Sequence, residues 1–136
     1  MTKIKMSYEW YDEDKTAVRY ILLEDWNWRD YHAGIRASLF SMMNHPHLVD
    51  SVIDLREHQR PKMPAGLAAH MSSFGKKLNK VLSGNAVVIG LADTDRQALP
   101  LDTDGTLPTI DGAVYFADDD KQAQHILQQL RANYGV

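Results

Sequence analysis

Hydrophobic and polar positions alternate at the start of the chain, where Ile4, Met6, Tyr8 and Trp10 are interleaved with Lys5, Ser7, Glu9 and Tyr11. A period of two predicts a strand with one buried face. Asp12-Glu13-Asp14-Lys15 reads as a polar turn and Thr16 to Leu23 as a second strand, giving an antiparallel N-terminal hairpin. The period then lengthens. Trp28, Tyr31, Ile35, Leu39 and Met42 recur at spacings of three and four, which predicts a helix with one apolar stripe, Asn27 as its N-cap and Pro46 as its stop. Val49 to Leu55 (VDSVIDL) predicts a strand. From about Pro64 to Leu82 the stripe Leu67, Met71, Phe74, Leu78 and Val81 predicts a second long helix, with Gly84 as its C-terminal stop.

Ala86 to Leu91 is an unbroken apolar run, the pattern of a central strand covered on both faces. Asp, Thr, Pro and Gly then dominate from Ala92 to Gly112, which reads as a long loop with room for one short helix over Asp93 to Leu99. Ala113 to Phe116 predicts the last strand. Asp118, Asp119 and Asp120 suit the positive end of a final helix carrying Ala123, Ile126, Leu127 and Leu130.

Alternation of strands and helices after the hairpin implies an α/β fold with right-handed crossovers and a largely parallel sheet. The expected architecture is a mixed sheet of about five strands with three to four helices, built as one domain over 1–136. A length of 136 residues, 44% hydrophobic and 24% charged, is ample for a single core and far from the composition of disordered chains. The formal net charge of -3, without any basic stripe, argues against nucleic acid as a partner. The absence of cysteine excludes disulfides, thiolate metal sites and a cysteine nucleophile. No apolar run approaches the length of a signal peptide core or a membrane span, so a cytoplasmic location without membrane insertion is expected.

The order of elements, with Val52-Ile53-Asp54-Leu55 at the third strand and Met63-Pro64-Ala65-Gly66-Leu67 opening the next helix, resembles the STAS (sulfate transporter and anti-sigma factor antagonist) family. Val87 to Leu91 and Val114 to Asp120 continue the resemblance over nearly the whole chain. Arg19-Tyr20 running into Trp26-Asn27-Trp28 is similar to bacterial STAS-like proteins. The resemblance implies a regulatory or protein-interaction module. It departs from the family where a phosphorylatable serine is expected, because Pro64 and Ala65 carry no hydroxyl; phosphoserine switching in that loop is therefore not expected.

Candidate chemistry concentrates in the loop Arg56 to Met63, which leaves the carboxyl end of a strand and enters a helix N-terminus. Ligands of open α/β sheets bind in such crevices. Arg56, His58, Arg60 and Lys62 offer positive charge there for a phosphate or carboxylate, beside Pro64, Ala65 and Gly66. Asp54 at the strand end reads either as a general base beside His58 or as a cap for the loop N–H groups, the latter being the simpler role. His45 and His47 lack the spacing that presents two imidazoles to one zinc ion, and His32, His70 and His125 read as packing residues. No metal or other cofactor is expected. No nucleophile elbow, Walker loop, dinucleotide fingerprint or zinc-protease motif occurs. Aromatics crowd the first quarter of the chain, and Trp10, Tyr11, Trp26 and Trp28 are the candidates for an interface, with a protein partner or a second copy. Lys76, Lys77 and Lys80 read as a solvated basic face. The leading expectation is a non-enzymatic interaction module. The alternative is a carrier binding an anion, nucleotide, acyl or lipid group at the carboxyl ends of the parallel strands.

Overall fold

The computed structural model describes residues 6–23, 26–42, 48–56, 82–91, 109–110 and 114–132. The chain runs through β1 (Met6–Trp10), β2 (Ala17–Leu22), α1 (Trp28–Ser41), β3 (Val49–Asp54), β4 (Leu82–Ile89), β5 (Thr109–Ile110), β6 (Val114–Ala117) and α2 (Asp120–Ala132). All six strands join one sheet in the order β1-β2-β3-β4-β6-β5. The hairpin β1–β2 is antiparallel, β2, β3, β4 and β6 are mutually parallel neighbours, and the two-residue β5 closes the far edge antiparallel to β6. The three apolar runs that the sequence marks as central strands thus lie side by side.

Period-two alternation assigns each strand residue to one of two layers. On one side Met6, Val18, Tyr20, Leu22, Val49, Ile53, Val88 and Phe116 pack under Tyr31 and Ile35 of α1 and its C-cap Met42. On the other, Ala17, Val52, Val87, Ile89 and Ala117 pack under Ala123, Ile126, Leu127 and Leu130, the four residues that the helical period picks out on α2. Each large side chain buried in this way contributes about 1.5–3 kcal/mol. β3 is buried along its whole length, as a strand between two neighbours and two layers must be.

Asn27 caps α1 as its position suggests: its side chain accepts from the Asp30 backbone N–H at 3.0 Å, and the Asp30 carboxylate accepts from the Asn27 backbone N–H at 3.0 Å. The helix ends on Ser41, ahead of Pro46.

Two expectations are corrected. Leu82 and Gly84 do not end a helix; both lie inside β4, which begins four residues earlier than its apolar run. Val49 pairs with Leu82 while Ser51 pairs with Ala86, so β4 carries extra residues opposite β3, and a glycine without a side chain suits such a bulge. The stretch from Ala92 to Gly112 is not loop throughout, because Thr109–Ile110 adds β5 to the sheet. Two helices are present among the described residues, and the helix expected from Pro64 falls outside them up to residue 81.

Replacing Asn27 by Ala removes one half of the capping box and leaves a first-turn N–H without its acceptor. The expected loss is about 1 kcal/mol, read as a lower urea midpoint at unchanged m-value.

Candidate functional site

β3 presents Asp50, Val52 and Asp54 to the α2 layer, two carboxylates on either side of a valine in a fully buried strand. A buried carboxylate must be paired and hydrogen-bonded. Asp54, 2% exposed, meets this need through Arg56 two residues on. Its Oδ1 accepts from the Arg56 backbone N–H at 2.9 Å and from Nε at 3.0 Å, and its Oδ2 accepts from Nη2 at 2.9 Å. The same guanidinium reaches across to the first residue of α2, where Nη1 and Nη2 donate to Asp120 at 3.0 and 3.2 Å. The Tyr11 hydroxyl, arriving from the end of β1, donates to Asp120 Oδ1 at 2.8 Å. Gly90 makes room for this fork: its φ is +87°, and a Cβ there would lie 2.8 Å from Arg56 Cγ.

The charges hold one another in place. Burial pushes the Asp54 carboxyl up, but the hydrogen bonds and charge of Arg56, helped by Arg19, more than offset this and hold it below the usual range. Arg56 likewise holds Asp120 low, against partial desolvation and with help from the Tyr11 hydroxyl. The Tyr11 phenol is pushed up, first by burial and then by Asp120, so it remains a donor. Arg56 keeps its proton more firmly than a free guanidinium because it is bonded to Asp54 and Asp120.

Asp50, 1% exposed, is handled in the same way at the other end of α2. Arg131, in the last turn, sets its Nε 3.4 Å from Asp50 Oδ2, its Nη1 donates to the Leu48 carbonyl at 2.9 Å, and its Nη2 donates to the Thr16 carbonyl. The Ser83 hydroxyl donates to Asp50 Oδ1 at 2.5 Å.

Of the anticipated loop residues, Asp54 and Arg56 come together in this fork, whereas His58, Arg60, Lys62, Pro64, Ala65 and Gly66 lie outside the described residues. Asp54 takes the capping role. Arg56 is spent on two carboxylates, so an incoming anion would have to displace both. The aromatics divide. Trp26 is fully buried and belongs to the core, with Trp28 edge-on to it at 5.0 Å and to Tyr31 at 5.3 Å; its ring does not face outwards as an interface candidate would have to. Trp10 and Tyr11 are half-buried. His32 is half-buried beside Tyr31, His125 is exposed beside Gln129, and His45, His47 and His70 lie outside the described residues. No group of three or more His, Cys, Asp or Glu suited to a metal ion occurs among the described residues.

Beside the fork, between the hairpin and α2, lies an open groove. One part, of about 320 Å³, is lined by Glu9, Trp10, Tyr11, Arg19, Asp120 and Gln124. It continues into a part of about 360 Å³ that shares Tyr11 and Gln124 and extends along Leu127 and Gln128 to Arg131. Arg19 stands in its wall with Nε and Nη2 each 3.5 Å from a carboxylate oxygen, of Asp54 and Glu9 respectively, and its buried Nε has no hydrogen-bond partner among the described residues.

Sequence reasoning did not single out Arg19, Asp50 or Arg131 as site residues, and it assigned Asp120 only to the helix start. One signal was available: aspartates at alternating positions of an otherwise apolar strand require cations from the layer they face. No helix among the described residues is long and apolar enough to cross a membrane.

Arg56→Met leaves Asp54 buried with only the more distant Arg19, at an expected cost of about 2 kcal/mol at neutral pH, almost all of it from the Asp54 end because the Asp120 end is half-exposed. Asp54 and Asp120 titrate lower in the folded than in the unfolded chain, so their contribution is complete above the unfolded value near pH ~4 and is lost as pH falls through the folded values below it. The gap between Arg56→Met and the parent protein should therefore narrow in urea titrations below pH ~4. A gap independent of pH would show that the guanidinium stabilises by packing alone. Comparison with family models, with curated proteins and with solved structures finds no match for this chain.

Proposed function

We propose that this chain is a non-enzymatic, STAS-like protein-interaction module that lacks the family's phosphorylatable serine. The observation that carries this reading is the Asp54–Arg56–Asp120 fork. At the carboxyl ends of the parallel strands, where an α/β enzyme or carrier displays reactive groups, Asp54, Arg56 and Asp120 are paired with one another. A carboxylate held below its ordinary range by a bidentate guanidinium is a weak base, and a guanidinium already shared by two carboxylates is a poor anion receptor. The fork instead fixes the start of the loop after β3 against α2, which presents a rigid surface of the kind that protein recognition uses. The parallel sheet order and the apolar strands that carry the STAS resemblance support the family reading.

A second reading, the small-ligand carrier, has one observation in its favour. Arg19, whose guanidinium approaches Asp54 and Glu9 only at 3.5 Å, lines the groove of about 320 Å³ between β1 and α2. Its site would be this groove rather than the strand ends.

Thermal-shift measurements on the full chain with nucleotides, inorganic phosphate and fatty acids separate the two. The interaction module shows no rise in melting temperature, and the immobilised chain captures a protein partner or itself. A carrier at 100 times its Kd gains about 2.7 kcal/mol of stability, so a clear rise with any of these compounds would replace the first reading by the second.

A further inference from the structure

The balance of charge around the groove between the hairpin and α2 limits what it can hold. Glu9, Asp12 and Asp120 line it together with Arg19 and Arg131. Directly behind these walls Asp54 meets Arg19, Arg56 meets Asp120 and Asp50 meets Arg131. Five carboxylates therefore stand against three guanidinium groups, an excess of two negative charges around one groove. The flanking segments deepen it. Glu13 and Asp14 in the β1–β2 turn and Asp118 and Asp119 ahead of α2 are exposed acids, against Lys15 and Lys121 as the bases of the same two segments. This region thus accounts for the whole of the chain's formal net charge of -3.

The walls also change character along the groove. In the part of about 320 Å³ the exposed carboxylates are Glu9 and Asp120, at 57% and 44%. Gln124, hydrogen-bonded to the Tyr11 hydroxyl, marks the junction with the second part, where the Tyr11 ring and the Leu127 side chain supply apolar surface. Asp12 lines that second part. Its carboxylate is oriented by the Thr16 N–H at 2.8 Å, the Ala17 N–H at 3.2 Å and the Thr16 hydroxyl, three neutral donors that leave one of about four lone-pair positions. The sequence of walls is carboxylates, apolar surface, carboxylate.

We infer that this groove binds a linear polyamine, of which the α,ω-diamines are the simplest members. One terminal ammonium sits at Glu9 and Asp120, the methylene chain crosses the Tyr11 ring and Leu127, and the second ammonium reaches Asp12. Two ammonium groups match the excess of two carboxylates, each through charge-assisted hydrogen bonds, and the methylenes take the apolar middle. The two rails of the groove give the same span. Asp120 and Leu127 are about 10 Å apart along the α2 axis, and Glu9 and Asp12 at most about 11 Å apart along the hairpin. A long diamine bridges that distance and ethylenediamine does not. Anions are disfavoured by the same charge balance, and a fatty acid adds its own charge to it. A bare metal ion is unsuited, since no group of three or more His, Cys, Asp or Glu converges among the described residues. The inference goes beyond the interaction-module reading, and it gives the groove a charge preference opposite to that of the carrier reading.

Thermal-shift and calorimetric titrations of the full chain at low ionic strength, where such contacts are least screened, test this with diaminooctane, spermidine, ethylenediamine and octylamine. Diaminooctane and spermidine should raise the melting temperature and bind at least ~10-fold more tightly than ethylenediamine, which is too short, or octylamine, which has one charge. Glu9→Gln removes the most exposed wall carboxylate, and Gln128→Lys sets a fixed ammonium inside the groove; both positions are exposed or lie on its surface, and each variant should weaken diaminooctane ~10-fold. Gln129→Lys, exposed on the same helix outside the groove, should bind as the parent does. Should Glu9→Gln fail to fold, the two lysine variants decide. No binding of any amine, equal binding of diaminooctane and octylamine, or equal weakening by Gln128→Lys and Gln129→Lys overturns the inference, the last by showing diffuse attraction to an acidic surface. A chain that ignores diamines yet captures a protein partner removes the polyamine site and keeps the interaction module. A melting temperature raised by phosphate or fatty acid and not by diamines also removes it, and gives the groove to the carrier.

Discussion

The fold turns on the two aspartates that β3 carries into the interior. A strand paired on both sides and covered on both faces has no access to water, so Asp50 and Asp54 require cations and donors from the protein itself. Arg131 at one end of α2 and Arg56, bridging to Asp120, at the other supply them. Apolar contact through Ala123, Ile126, Leu127 and Leu130 drives α2 onto the sheet without prescribing its position along it. The charged groups add that prescription, since a shift by one turn would strand two buried carboxylates.

The same pairing bears on function. A buried carboxylate beside an arginine at the end of a parallel strand is a familiar starting point for a catalytic or anion-binding proposal, and perturbed titration is a common marker of such sites. Here each group is shifted toward its charged form by its partner, which stabilises the folded state and blunts reactivity. Arg19 differs, because its guanidinium approaches Asp54 and Glu9 only at 3.5 Å and faces a groove.

The two edges of the sheet are treated differently. β5 is two residues long, which is one way of blunting an edge. β1 spans five residues, has no proline, and holds Ser7, Tyr8 and Glu9 in exposed positions.

Much of the architecture was legible in the residues, because burial imposes periodicity. The hairpin, α1 with its Asn27 cap, the three parallel strands and the apolar stripe of α2 all follow from apolar spacing and end signals within short windows. Gly84 misled, since a glycine marks a helix stop and a strand bulge equally well, and only the pairing of Val49 and Ser51 with Leu82 and Ala86 distinguishes them. β5 had too few residues to show a period. The site was legible only in part: Asp54 and Arg56 stood out as neighbours in sequence, whereas Arg19 and Arg131 reach Asp54 and Asp50 from 35 and 81 positions away, Asp120 meets Arg56 across 64, and Tyr11 meets Asp120 across 109. Local physics, carried in propensity, capping and the alternation of apolar positions, determined the elements and their faces. Which charges meet, and which strands pair, depends on distances between segments remote in the chain, and the tertiary structure alone decided these.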